Sequence, residues 1–181
     1  MKIGEYSFKR KYTLAQIIID VVSAVALLGF ALIISAHIQW AEWFDKNNRT
    51  DVVLHKEWYP LLIWIAAGIA VAGISVFLIL KNKKMPKKLH ITENNVVRYC
   101  SAIDAGIGCV RLMLLIILWN ICSIHSDFIL WGQSDVNYYM FVVGALIIAG
   151  IIVLTMMRVN SLSESEEEAE KEKHKKYIVE D

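Results

Sequence analysis

Four stretches of this chain, about 14–38, 59–80, 102–124 and 138–159, are long apolar runs broken by few charges. Each is about 20 residues or longer, the length a helix needs to cross a hydrocarbon core of about 30 Å. Within such a core every backbone N–H and C=O must be satisfied inside its own segment, which leaves helices as the solution for runs of this kind. With 56% apolar residues over 181 positions, the four blocks consume most of the chain and leave no length for a soluble domain. The expected fold is an all-α integral membrane protein, a four-transmembrane-helix bundle over 14–159. A short segment, 1–13, precedes it and a charged tail, 160–181, follows it.

The first block follows Lys9-Arg10-Lys11 and so has the flank of a secretory signal. Its apolar run exceeds the roughly 7–15 residues of a signal h-region, and Asp20 interrupts it. It reads as a retained first helix.

Lys and Arg set the orientation. Fifteen lie in the first segment, the second connection and the tail together with Arg158 at the end of the fourth block, and three (Lys46, Arg49, Lys56) in the first connection. The third connection has none, and Arg111 lies inside a span. The positive-inside rule then places both termini in the cytoplasm. Trp40, Trp43, Trp58, Tyr59, Trp131, Tyr138 and Tyr139 gather at the opposite ends of the spans, where interfacial rings belong.

The connections say less. "KNKKMPKKLH" is a basic inner loop suited to anionic lipid headgroups, at about 1 kcal/mol per cation near the surface. Pro60 stands near the start of the second helix, where its missing N–H is harmless. Thr92 is placed to cap a helix beginning at Glu93. Ser163 and Glu166 have capping-box spacing, and Glu167–Lys171 and Glu172–Lys176 are i,i+4 pairs, so the tail reads as a short solvent helix. Asn48-Arg49-Thr50 matches a glycosylation acceptor on the outer side. None of Cys100, Cys109 and Cys122 lies in an outer loop, so no disulfide framework is expected.

The spans carry a few polar residues, and their spacing is informative. Asp104 and Arg111 are seven residues apart, close to two helical turns, and share one face. The first span has a matching stripe: Thr13, Gln16, Asp20, Ser23, Leu27, Phe30, Ile34 and His37. Asp20 lies roughly 9 Å and Arg111 roughly 12 Å from the inner edge. Equal depth predicts an intramembrane ion pair, Asp20 with Arg111, with Gln16 and Asp104 nearer the cytoplasm. Pairing offsets an insertion cost of about 2.5–3.5 kcal/mol per charge. The pair can serve register alone, or Asp20 and Asp104 can titrate in ion coupling. His37 and His125 face each other across the outer leaflet as candidate ligands for haem iron or another metal, or as ordinary interfacial histidines. Small residues (Ala66, Ala70 and Gly73; Ala145 and Ala149) mark expected close helix contacts. Asn120, opposite Arg111, is expected to meet another helix or a second subunit.

No nucleophile–base set, phosphate loop, zinc spacing or catalytic carboxylate pair occurs in the sequence. The expectation is therefore a protein without enzymatic activity, cofactor or bound metal, in contact with the bilayer and a protein partner or further copies of itself, and not with nucleic acid.

The segment "LHITENNVVRYCSAIDAGIGCVRLMLLIILWN" resembles a family of small bacterial four-helix membrane proteins related to the amino-terminal part of immunity proteins against sporulation-delay toxins. The resemblance rests on Ile91, Thr92, Glu93, Asn95 and Arg98, entering the third span. The order of loops also fits, while "FDKNNRTDVV" departs from the family's outer loop. The resemblance implies an accessory, sensing or immunity role exercised through a partner. The alternative is a small oligomeric ion-coupled transporter using Asp20, Asp104 and Arg111.

Overall fold

A computed structural model describes residues 2–3, 6–7, 13–46, 58–81, 92, 95–131 and 138–179. Apart from a two-residue antiparallel pairing, Lys2–Ile3 with Tyr6–Ser7, the fold is helical. The helices are α1 (Leu14–Lys46), α2 (Leu62–Lys81), α3 (Val96–Trp131) and α4 (Tyr138–Val179). A single 3₁₀ turn, Tyr59–Leu61, leads into α2 and contains Pro60, which has no N–H to lose there. All four helices are long and apolar enough to cross a membrane.

Three helices outrun their apolar blocks. At about 1.5 Å per residue, α1, α3 and α4 are roughly 50, 54 and 63 Å long, well beyond a hydrocarbon core of about 30 Å. The extensions follow helix propensity: past the apolar run, α4 continues through a stretch rich in Glu, Ala and Lys. Lys171 Nζ lies 2.7 Å from Glu167 Oε1 on that stretch. Ser163 and Glu166 therefore sit inside a continuous helix and begin no new one, which corrects the capping-box expectation. The Lys176 side chain lies outside the described residues.

The start of α3 also differs from expectation. The Thr92 carbonyl accepts from Val96 N at 3.0 Å, as an N-cap carbonyl does, and the Thr92 N–H donates to Asn95 Oδ1 at 2.9 Å. Asn95 supplies the returning half of a capping box. The Thr92 hydroxyl leaves the helix start altogether and donates to Glu166 Oε1 of α4 at 2.7 Å. Asn95 Nδ2 donates to the Leu162 carbonyl at 3.2 Å. The proximal tail is thus docked on the start of α3. Glu93, the basic loop and the glycosylation triplet lie outside the described residues.

The helix α3 is the hub. Helices α1, α2 and α4 each pack on it, α1 also touches α2, and α4 makes at most marginal contact with α1 or α2. One core joins Phe30 and Ile34 of α1, Leu61 of the 3₁₀ turn, and Leu115 and Cys122 of α3. A second joins Val96, Tyr99 and Cys100 of α3 to Val159 of α4. The outer faces of all four helices carry exposed Leu and Ile, joined by Val on α1, α2 and α4, the surface lipid requires.

Helix approach is set by glycines other than the small residues expected. A Cβ on Gly106 would lie 2.5 Å from Thr155 Oγ1, on Gly144 2.9 Å from Ile117, on Gly108 3.0 Å from Ile19, and on Gly68 3.1 Å from Leu27 and Phe30. Gly73 has open space around it, and Ala66, Ala70, Ala145 and Ala149 are exposed. Those small residues face outward, because spacing alone does not say which flank of a uniformly apolar helix meets its neighbour.

Candidate functional site

The structure brings Asp20 and Arg111 together. Helix α1 carries Gln16, Asp20 and Ser23 on successive turns, and α3 presents Ser101, Asp104 and Arg111 opposite them. The Arg111 guanidinium forms an ion pair with Asp20 Oδ1, and its Nε donates to Ser23 Oγ at 3.1 Å. The Ser23 hydroxyl donates in turn to the Ile19 carbonyl at 2.7 Å, the back-bond open to a serine within a helix. Gly108 lies one turn before Arg111, and its missing side chain admits Ile19 and lets α1 close on the pair.

One turn below, Gln16 does two things. Its Oε1 accepts from Thr13 N at 2.8 Å while its own N–H donates to Thr13 Oγ1 at 3.3 Å, a reciprocal capping box. Its Nε2 donates to the Ser101 carbonyl of α3 at 3.4 Å. Asp104 is buried on α3 between Ser101 and Arg111. The set is a ladder of polar contacts between α1 and α3, with one buried cation at its top.

At the far end of the bundle, His37 and His125 have different partners. His37 Nδ1 and Ser126 Oγ are hydrogen-bonded at 2.9 Å, in a fully buried position. His125 Nδ1 accepts from Trp64 Nε1 at 2.9 Å, with the rings edge to face at 6.0 Å. Among the described residues no three His, Cys, Asp or Glu side chains are grouped as metal ligands require. His37 Nε2 is buried without a hydrogen-bond partner among the described residues, and so is Asn120 Oδ1. Asn120 faces α4, beside a cavity of about 90 Å³ lined by Met113, Ile117 and Gly144. The three cysteines are free thiols.

Ser126, Trp64 and Thr155 carry no sign in the sequence, because what they meet lies on other helices. Asn95 stands among the residues of the resemblance and three residues after a candidate cap, but its bond to the Leu162 carbonyl of α4 is not readable there.

Because α4 packs on α3 and not on α2, a cleft of about 650 Å³ opens between α2 and α4, floored by α3. Leu78, Ile103, Leu114 and Met156 make it apolar, and Ser75, Tyr99, Arg111, Thr155 and Asn160 are its polar lining. Arg111 therefore borders the cleft as well as the ion pair.

Comparison of this chain with protein-family models, with curated proteins and with solved structures finds no match in any of the three.

Proposed function

We propose that this chain is a non-enzymatic multi-pass protein of a bacterial cell membrane, with cytoplasmic termini, that acts by receiving an apolar segment of a partner protein. The observation that carries this reading is the cleft of about 650 Å³ between α2 and α4. It is apolar and runs along α3 from Tyr99 to Leu114, about 22 Å of helix, and a transmembrane or membrane-inserted helix fits such a groove by close packing. The resemblance to immunity-related membrane proteins agrees with such a role, and the fifteen-to-three distribution of Lys and Arg supports the orientation.

The test is site-specific photocrosslinking in the native membrane, followed by mass spectrometry of the adducts. A photoreactive residue at Leu78 or Met156, inside the cleft, is expected to capture one defined membrane protein. The same probe at Val25, on the exposed face of α1, is expected not to. Equal capture from both positions, or none from the cleft, contradicts the reading. A fluorescent-protein fusion after Asp181 that fails to fluoresce while an exported reporter is active there would overturn the orientation.

A second reading is favoured by one observation. Asp20 is half-exposed although its partner Arg111 is buried. A carboxylate accessible from the side of the bundle suits an oligomeric ion-coupled transporter, with Asp104 deeper on the path. Purified protein in liposomes would then acidify the lumen with substrate, and Asp20→Asn would stop it without loss of protein.

A further inference from the structure

A second groove, of about 770 Å³, lies on the other flank of α3, between the start of α1 and α4. Its floor is made of small side chains, among them Ala102, Ala105 and Gly106, and Leu154 of α4 forms part of one wall. Arg98 of α3 and Arg158 of α4 stand at one end. The two are held at the same height, because Val159 packs against Val96, Tyr99 and Cys100. Both arginines are exposed, and neither forms an ion pair with a described residue.

The dimensions are informative. From Arg98 the groove runs along α3 to Cys109, eleven residues further, which is about 16 Å of helix. Half of a hydrocarbon core of about 30 Å is about 15 Å. The groove is therefore one leaflet deep, mainly apolar with the hydroxyls of Thr13, Ser101 and Thr155 in its lining, and cationic at its mouth. The acidic run of the tail begins only at Glu164, roughly 9 Å of helix beyond Arg158, and the charged residues that line the groove are the two arginines. A guanidinium binds phosphate through paired N–H donors and is weakly hydrated, which suits it to this position better than a lysine.

We propose that this groove holds one anionic glycerophospholipid of the leaflet at the basic end. Its phosphate and acidic headgroup lie between Arg98 and Arg158, and an acyl chain runs along Ala102, Ala105 and Gly106. The bound lipid fills the gap between α1 and α4 that the protein leaves open. The site lies across the Gly106–Thr155 contact from the partner cleft, which these two residues and Ile151 also line, and does not depend on that reading.

The experiment is native mass spectrometry of the detergent-purified full chain, incubated with palmitoyl-oleoyl phosphatidylglycerol, with phosphatidylcholine of the same chains, or with glycerol 3-phosphate. A single phosphatidylglycerol adduct is expected, at least about tenfold more populated than the phosphatidylcholine adduct, with none from glycerol 3-phosphate. The double variant Arg98→Gln/Arg158→Gln should lose the preference, whereas Lys87→Gln/Lys88→Gln in the basic loop should keep it. Ala105→Phe, which fills the groove, should reduce the adduct for both lipids. Equal retention of the two lipids by the unaltered chain overturns the proposal without recourse to any variant. A preference lost with the lysines and kept without the arginines overturns it equally, because the loop would then be the binding surface.

Discussion

Arg111 of α3 and Asp20 of α1 form an ion pair across two helices in which the cation is 5% and the carboxylate 53% exposed. The asymmetry has a simple origin. Arg111 projects from the hub helix into the contact with α1, whereas Asp20 sits at the edge of that contact. The long guanidinium side chain spans the difference, with Ser23 as a second acceptor. Such a pair fixes the rotation of α1 on α3, because a turn of α1 in either direction strands the arginine.

Removing one member should therefore cost more than removing both. Asp20→Asn and Arg111→Leu are each expected to destabilise the bundle, with Asp20→Asn the more severe because it leaves a buried cation unpaired, at about 3–5 kcal/mol. The double variant Asp20→Leu/Arg111→Leu should recover most of that loss. Unfolding in mixed detergent micelles measures all three, and strictly additive effects would show that the two residues are not coupled.

Two glycines should respond oppositely to the same methyl group. Gly106→Ala places a Cβ against Thr155, a stiff β-branched side chain already bonded through its hydroxyl to the Ile151 carbonyl, and is expected to cost about 1–3 kcal/mol. Gly73→Ala meets open space and gains helix propensity, about 0.5–1 kcal/mol. Thermal midpoints of the two purified variants would separate in opposite directions from the parent.

The buried histidine depends on its serine. Ser126→Ala removes the only described partner of His37, whose Nε2 already has none, and should lower stability by about 1–3 kcal/mol. Ser35→Ala on the exposed face of α1 serves as the control and should change little. Equal effects of the two changes would remove the special status given to the His37–Ser126 contact.

Amide protection along α4 should reflect where the tail is tied down. Thr92 and Asn95 hold Glu166 and the Leu162 carbonyl, so slow hydrogen exchange is expected to continue past the apolar block to about Glu166 and to fall beyond it. Asn95→Ala should shorten the protected region by about a turn. Protection ending at Val159 in the parent chain would show that the docked tail does not persist in solution.

The sequence by itself determined the four helices and their approximate places, because about 20 apolar residues broken by few charges permit little else in a bilayer. It also made the shared face of Gln16, Asp20 and Ser23 readable, and that of Asp104 and Arg111, since polar residues in an apolar run stand out at helical spacing. Only the tertiary structure decided which glycines lie at contacts, that α3 is the hub, that α4 is docked through Thr92 and Asn95, and that two grooves flank α3. The reason is physical. Lipid tails are as apolar as the side chains between helices, so the buried and lipid-facing sides of α2 and α4 have the same composition. Without a polar face to mark the outside, the rotation of each helix about its axis is set by shape complementarity alone. Shape exists only once the neighbouring helices are in place.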